Sequence, residues 1–183
     1  KAFEDGFAYE YDHDLNMTAG KEEILNDNDK NLSDVIVVGT SFNSCLGKNR
    51  VIFKDSPGVN FSGDDDHRRI TNELIESKEY DVLIYLMNVT QLGTMDESAH
   101  LEYVRKFIGE KPICFVINKI DSLNIEEENI SSIIQNQIKF LEQKGFKNPI
   151  VCPVSSKAGY LAKKYQHGTL TRIEKREFYN FID

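Results

Sequence analysis

Ile113-Cys114-Phe115-Val116-Ile117-Asn118-Lys119-Ile120-Asp121 is the stretch that decides the fold. Five apolar residues in a row read as a buried strand, and the polar N-K-x-D that follows stands at its C-terminal end. A carboxylate at the fourth position can accept two hydrogen bonds. Guanine offers N1–H and the exocyclic N2–H₂ side by side, and adenine has no such pair of donors. A buried Asp121 left unpaired against adenine would be costly, so the pattern discriminates between purines. Asn118 can tie neighbouring loops to the base, and the stem of Lys119 can lie over the ring. Read singly, the four residues also fit an ordinary strand-to-loop transition.

A second motif lies upstream. Val51-Ile52-Phe53-Lys54-Asp55-Ser56-Pro57-Gly58 reads as a short apolar strand over Arg50 to Asp55 that ends in D-S-P-G. In nucleoside triphosphatases this arrangement sets an Asp near Mg²⁺, often through a water, and a Gly amide against the γ-phosphate. Gly58 would allow the backbone to approach that closely. Asp, Ser, Pro and Gly are also turn formers, so a plain β-turn is the competing reading. The interval from Asp55 to Asn118 has room for helix, strand, helix and strand, which is two right-handed crossovers of a parallel sheet. Downstream, Pro149 to Val154 reads as the next strand, followed by Ser155-Ser156-Lys157. That tripeptide can cap a helix, or supply backbone to a base. Three motifs in order, each at a strand's C-terminal end, stand where ligands bind in open α/β sheets.

These residues resemble the GTPase domain of the dynamin superfamily, and its bacterial dynamin-like members most. The resemblance runs through D-S-P-G-V-N (Asp55 to Asn60), T-x-D-E (Thr94 to Glu97), N-K-I-D and P-V-S-S-K-A (Pro153 to Ala158), and covers nearly the whole chain. It implies GTP or GDP and Mg²⁺ as ligands. Asn118, Lys119, Asp121, Ser155, Ser156 and Lys157 would hold the base, with a backbone amide of the Ser155–Lys157 loop on guanine O6. Asp55, as Mg²⁺ ligand through water, and Gly58 would serve catalysis. It also implies a cytoplasmic protein, or one peripheral at a membrane, that self-associates across its nucleotide face and couples GTP turnover to assembly or membrane remodelling. Two other readings compete: a non-catalytic GTPase-like interaction module, and a Ras-like or translation-type GTPase outside the dynamin group.

The phosphate loop G-x-x-x-x-G-K-[ST] does not occur in the sequence. In the nearest fragment, Gly39 to Asn49, the two glycines are too far apart and Asn49 replaces the Ser or Thr that would bind Mg²⁺. The expectation is therefore one partial GTPase domain over residues 1–183, truncated before its first strand and phosphate loop. Without those groups the chain as given is expected to hydrolyse GTP negligibly, because phosphoryl transfer is catalysed mainly by positioning and charge neutralisation. Lys54, where the family usually has an apolar residue, and Ser56 for the usual Thr are further departures.

The expected fold class is α/β: a mostly parallel, three-layer P-loop GTPase-type sheet with helices on both faces and an antiparallel edge hairpin. Its length of 183 residues suffices for one sizeable core. A formal net charge of −8 disfavours nucleic acid and direct adsorption to anionic lipid. Cys114 and Cys152 lie inside apolar runs, so buried structural thiols are expected. With Cys45 they lack metal-ligand spacing.

The remaining elements follow from pattern. Asp5-Gly6 marks a hairpin within Lys1 to Tyr11. Thr18 to Glu23 opens a short helix. Asp34 to Thr40 is a strand, pairing antiparallel with Arg50 to Asp55. Val59 to Asp66 is an acidic loop in the place of switch II. His67 to Lys78 is a helix. Asp81 to Asn88 is a strand whose continuous apolar run predicts cover on both faces. Asp96 to Gly109 is a helix with Leu101, Val104, Phe107 and Ile108 inward. A helix over Glu126 to Lys144 carries Ile130, Ile133, Ile134, Ile138 and Leu141 and ends at Gly145. Two last helices, Lys157 to Gln166 and Thr171 to Phe181, use Tyr160, Tyr165, Phe178, Tyr179 and Phe181 for packing.

Overall fold

The computed structural model describes residues 9–11, 17–20, 38–39, 52–56, 65–123 and 129–181. They divide into an N-terminal unit, Lys1–Asp55, and a C-terminal unit, Ser56–Asp183.

In the N-terminal unit three short strands, β1 (Tyr9–Tyr11), β2 (Met17–Gly20) and β3 (Val38–Gly39), form an antiparallel sheet in the order β2-β1-β3. The helix expected from Thr18 is corrected. Thr18, Ala19 and Gly20 belong to β2, where the ladder with β1 overrides a capping signal read from local sequence. β3 pairs with β1, not with the D-S-P-G segment. Residues 52–56 have no regular structure, with Ile52 and Phe53 exposed, so the expected strand over Arg50 to Asp55 does not extend through them. Strand geometry needs a partner's ladder, and no described strand pairs with this segment. The Asp5-Gly6 turn and the switch II loop up to residue 64 lie outside the described residues, while Asp65 and Asp66 already belong to a helix.

The C-terminal unit is α/β. Its elements are α1 (Asp65–Ser77), β4 (Leu83–Asn88), α2 (Met95–Phe107), β5 (Ile113–Asn118), α3 (Ile130–Gln143), β6 (Ile150–Pro153), α4 (Ser156–Gln166) and α5 (Arg172–Tyr179). β4, β5 and β6 form an open parallel sheet in that order. Leu83 stands opposite Ile113, Phe115 opposite Val151, and Asn88 opposite Asn118.

The core lies on one face of this sheet. Met87, Phe115 and Ile117 pack with Ile75 of α1, Leu101 and Val104 of α2, Leu141 of α3, and Val89, Ile108 and Phe146. Phe115, Leu101, Val104 and Leu141 are fully buried, each contributing about 1.5–3 kcal/mol of apolar transfer. Phe146 meets Phe115 edge-on at 5.0 Å between ring centroids. α2 begins at Thr94, whose hydroxyl accepts from the Glu97 amide, and has Asp96 and Glu97 in its first turn and Arg105 and Lys106 in its last. Gly145, at φ 89°, ends the turn after α3, and its carbonyl accepts from Arg105 Nε at 2.8 Å.

On the other face of the sheet no described strand residue is buried. Ile84, Leu86 and Ile150 are 54%, 64% and 62% exposed. Strand order explains it. A sheet that grows in one direction through right-handed crossovers puts both connecting helices, here α2 and α3, on the same side. α4 and α5 instead build a small core of their own around Leu161, Leu170 and Phe178. Of the aromatics expected to pack there, only Phe178 is buried; Tyr165 stacks on it at 4.7 Å, and Tyr160, Tyr165, Tyr179 and Phe181 are exposed. Among the described residues no helix is long and apolar enough to cross a membrane.

Candidate functional site at the C-terminal edge of the parallel sheet

Two adjacent parallel strands bring the N-K-x-D turn and the Ser-Ser-Lys segment together. Asn118 ends β5, and the chain leaves β6 two residues before Ser155. Backbone bonds lock the two exits: Val154 N–H donates to Ile117 O at 2.8 Å, and Ile120 N–H donates to Val154 O at 3.4 Å. The Asn118 side chain completes the tie. Its Oδ1 accepts from Lys119 N–H at 2.8 Å and from Ser156 N–H at 3.0 Å. A short carboxamide at a strand's end can reach one residue along its own chain and across to the next loop, the bridging role the sequence implies.

Lys119 adopts φ 66°, ψ 30°, the left-handed region. A residue with a Cβ is uncommon there, and such backbone clusters at ligand sites. It turns the chain abruptly into a 3₁₀ turn over Ile120–Ser122, closed by Ser122 N–H and Oγ–H, which donate to Lys119 O at 2.9 and 2.7 Å. Asp121 rides on this turn and is exposed. That corrects the expectation of a buried carboxylate: one residue past the sharp turn, the chain has already left the sheet. Among the described residues no hydrogen bond or ion pair engages the Asp121 carboxylate, so its acceptors remain open to a ligand.

Ser155 caps α4, its hydroxyl accepting from Ala158 N–H at 3.0 Å. The first helical amide, that of Ser156, points at the Asn118 turn, where helix geometry favours an electronegative group. Ser156 spends its amide on Asn118. Lys157 turns the other way, its Nζ 3.1 Å from Glu177 of α5. Of the residues expected to hold a base, the structure thus brings Asn118, Lys119, Asp121, Ser155 and Ser156 to one edge and leaves the Lys157 side chain on α5. Asp55 is exposed in the N-terminal unit, and Gly58 lies outside the described residues. Among the described residues no group of three or more potential ligands surrounds a metal position.

Sequence reasoning missed Asn88. It lies opposite Asn118 at the end of β4, and its Oδ1 caps the 3₁₀ turn Val89–Gln91 by accepting from Thr90 N–H and Oγ–H. A polar residue ending each of two apolar runs was the available signal. Glu97 was missed as well. It is buried, accepts from Gly93 N–H at 2.5 Å, and burial raises its carboxyl above the usual range while that bond opposes the rise. Beside it, burial lowers His100, with the Arg68 charge acting the same way. His100 Nδ1 and Tyr85 Oη share a hydrogen bond at 2.9 Å.

No protein-family model matches the chain. Among curated proteins it is similar to the bifunctional enzyme NodQ of Rhizobium meliloti (strain 1021), at 20% identity over 112 residues, 61% of this chain and 16% of that protein. It is also similar to sulfate adenylyltransferase subunit 1 of Cellvibrio japonicus (strain Ueda107), at 24% over 132 residues, 72% of this chain and 25% of that protein. The aligned stretches span a quarter or less of these relatives' length. Neither is described as dynamin-like. The likeness is distant.

Proposed function

We propose that the C-terminal unit binds a guanine nucleotide by its base, as part of a GTP-binding protein. One observation carries the reading: Asn118 bonds the N-K-x-D turn to the start of α4 through Ser156 N–H, while the Asp121 carboxylate stays unengaged beside it. That carboxylate offers acceptors for guanine N1–H and N2–H₂. The Lys157 amide in the first turn of α4 can face O6, and the Lys119 stem can cover the ring. The distant likeness to sulfate adenylyltransferase subunit 1, a protein whose name denotes nucleotide chemistry, supports nucleotide binding and does not single out the dynamin group. Self-association across the nucleotide face and membrane remodelling rest on motif resemblance alone and belong to the dynamin-type alternative.

Hydrolysis is proposed for the whole protein, with Asp55 and Gly58 as candidate contributors at Mg²⁺ and the γ-phosphate. Asp55 is exposed at the end of the N-terminal unit and Gly58 lies outside the described residues, so no step is derived through them. The base reading is tested by chemistry at one position. Asp121→Asn replaces two acceptors with one acceptor and one donor. It should weaken GDP by roughly 10–100-fold, the loss of a charge-assisted hydrogen bond of about 1.5–3 kcal/mol. It should also improve binding of xanthosine diphosphate, which presents N1–H beside a carbonyl. Unchanged preference in titrations of both variants would remove Asp121 from the site.

A further inference from the structure

Cys114 on β5 and Cys152 on β6 are free thiols on the face of the sheet opposite the main core. Cys114 stands opposite Ile150 and Val116 opposite Cys152, so the two cysteines are diagonal neighbours. The Cys114 thiol donates to Cys152 Sγ at 3.9 Å. Both are half-buried, beside a face on which Ile84, Leu86 and Ile150 are exposed, so a small oxidant can reach them. Four residues beyond each thiol stands one end of the Asn118–Ser156 hydrogen bond.

We propose that Cys114 and Cys152 are a reversible thiol–disulfide pair, closed by a hydroperoxide, that sets the register of the two loops holding the base. Its regulatory half rests on the guanine-binding reading; the cross-link itself does not. Cys152, which accepts the Cys114 hydrogen bond, attacks the peroxide oxygen as thiolate. The O–O bond breaks, Cys152 becomes a sulfenic acid, and the departing hydroxide takes up a proton as water. Cys114 then attacks the sulfenic sulfur, the S–S bond forms, the S–O bond breaks, and a second water leaves. With hydrogen peroxide, two thiols and one oxidant give one disulfide and two waters. Burial and the neighbouring thiol hold Cys114 above the ordinary thiol range, which places it second in the sequence.

Register gives the pair its leverage. Parallel strands ~4.8 Å apart, rising ~3.3 Å per residue, put such diagonal neighbours about 8 Å apart at their Cα atoms, beyond the ~4.4–6.8 Å a disulfide usually spans. Closing the bond draws β5 and β6 past one another by on the order of 1 Å. A 3.0 Å hydrogen bond between loops anchored on those strands does not survive such a slip. The strain also makes the bond easy to reduce.

The test uses the full chain with Cys45→Ser, so that only these two thiols remain. Stoichiometric hydrogen peroxide should give a monomer lighter by two hydrogens, with the Cys114 and Cys152 peptides joined and released by dithiothreitol. In Cys114→Ser, dimedone should trap a sulfenic acid at Cys152. Separate sulfinic acids, or links between molecules, would overturn the pair. For the regulatory half, GDP should bind at least tenfold more weakly to the linked chain and recover on reduction; equal affinity would overturn it. Should the reduced chain not bind GDP, the base reading falls, and hydrogen exchange of the Ser156 amide decides the register claim. Faster exchange in the linked chain supports it, and unchanged exchange refutes it.

Discussion

The two faces of the β4–β5–β6 sheet are made from the same strands and do opposite things. On one face Phe115 and Ile117 are lost to solvent entirely; on the other Ile84 and Leu86 are more than half exposed. Composition cannot distinguish them, since β4 and β5 are apolar at nearly every position. What differs is where the connecting helices go, and crossover handedness sends α2 and α3 to one side.

Substitutions on the covered face should be the most damaging. Phe115→Ala removes the ring that Phe146 and Tyr85 touch and should lower unfolding free energy by about 3–5 kcal/mol in urea denaturation. A loss under about 1 kcal/mol would mean that this face is not the core. At the edge, Asn118→Ala strands the Ser156 and Lys119 amides and should lower stability by about 1–3 kcal/mol, besides weakening any nucleotide bound there.

Outside both faces, the α4–α5 lobe offers a smaller effect with a distinct pH signature. Thr171 and Glu174 form a capping box, and Lys164 holds the Glu174 carboxylate at 2.6 and 2.7 Å. Thr171→Ala should lower the stability of this lobe by about 1 kcal/mol. The Lys164 ammonium, aided by the Thr171 N–H, depresses Glu174 from 4.5 to about 2. A depressed carboxyl stabilises the folded state above its unfolded value and loses that contribution as pH falls toward 2. Proton-linked loosening of α4 and α5 between about pH 4.5 and 2 should appear in wild type and vanish in Glu174→Gln. The smallest effect belongs to the uncovered face. Leu86→Thr should change stability by no more than about 0.5 kcal/mol, and a loss of several kcal/mol would show that something covers it.

Much of the C-terminal unit was legible in sequence. The apolar run before Asn118 marked β5, and the spacing of Ile133, Ile138 and Leu141 marked α3. The helix starts expected at Asp96 and Thr171 fall within a residue of Met95 and Arg172, where the helices begin. What sequence did not disclose depends on partners distant in the chain. Thr18 reads as the start of a helix until β1 supplies a ladder. Ile52 and Phe53 read as a strand, yet no described strand receives them. β4 reads as a two-sided strand because periodicity cannot show which face lacks a helix. At the site, residue types foretold that Asn118 would bridge two loops. They did not foretell that Lys119 would take left-handed backbone and carry Asp121 out to solvent, since tertiary bonds from Ile120 and Val154 fix that turn.

The most direct measurement is a pair of titrations of the full chain, with GDP and with ADP at millimolar concentration, followed by backbone amide shifts. The account predicts that GDP moves the amides of Lys119 to Ser122 and of Ser155 to Ala158, and that ADP leaves them in place. Equal responses to the two nucleotides, or a GDP response confined to other parts of the chain, would contradict it.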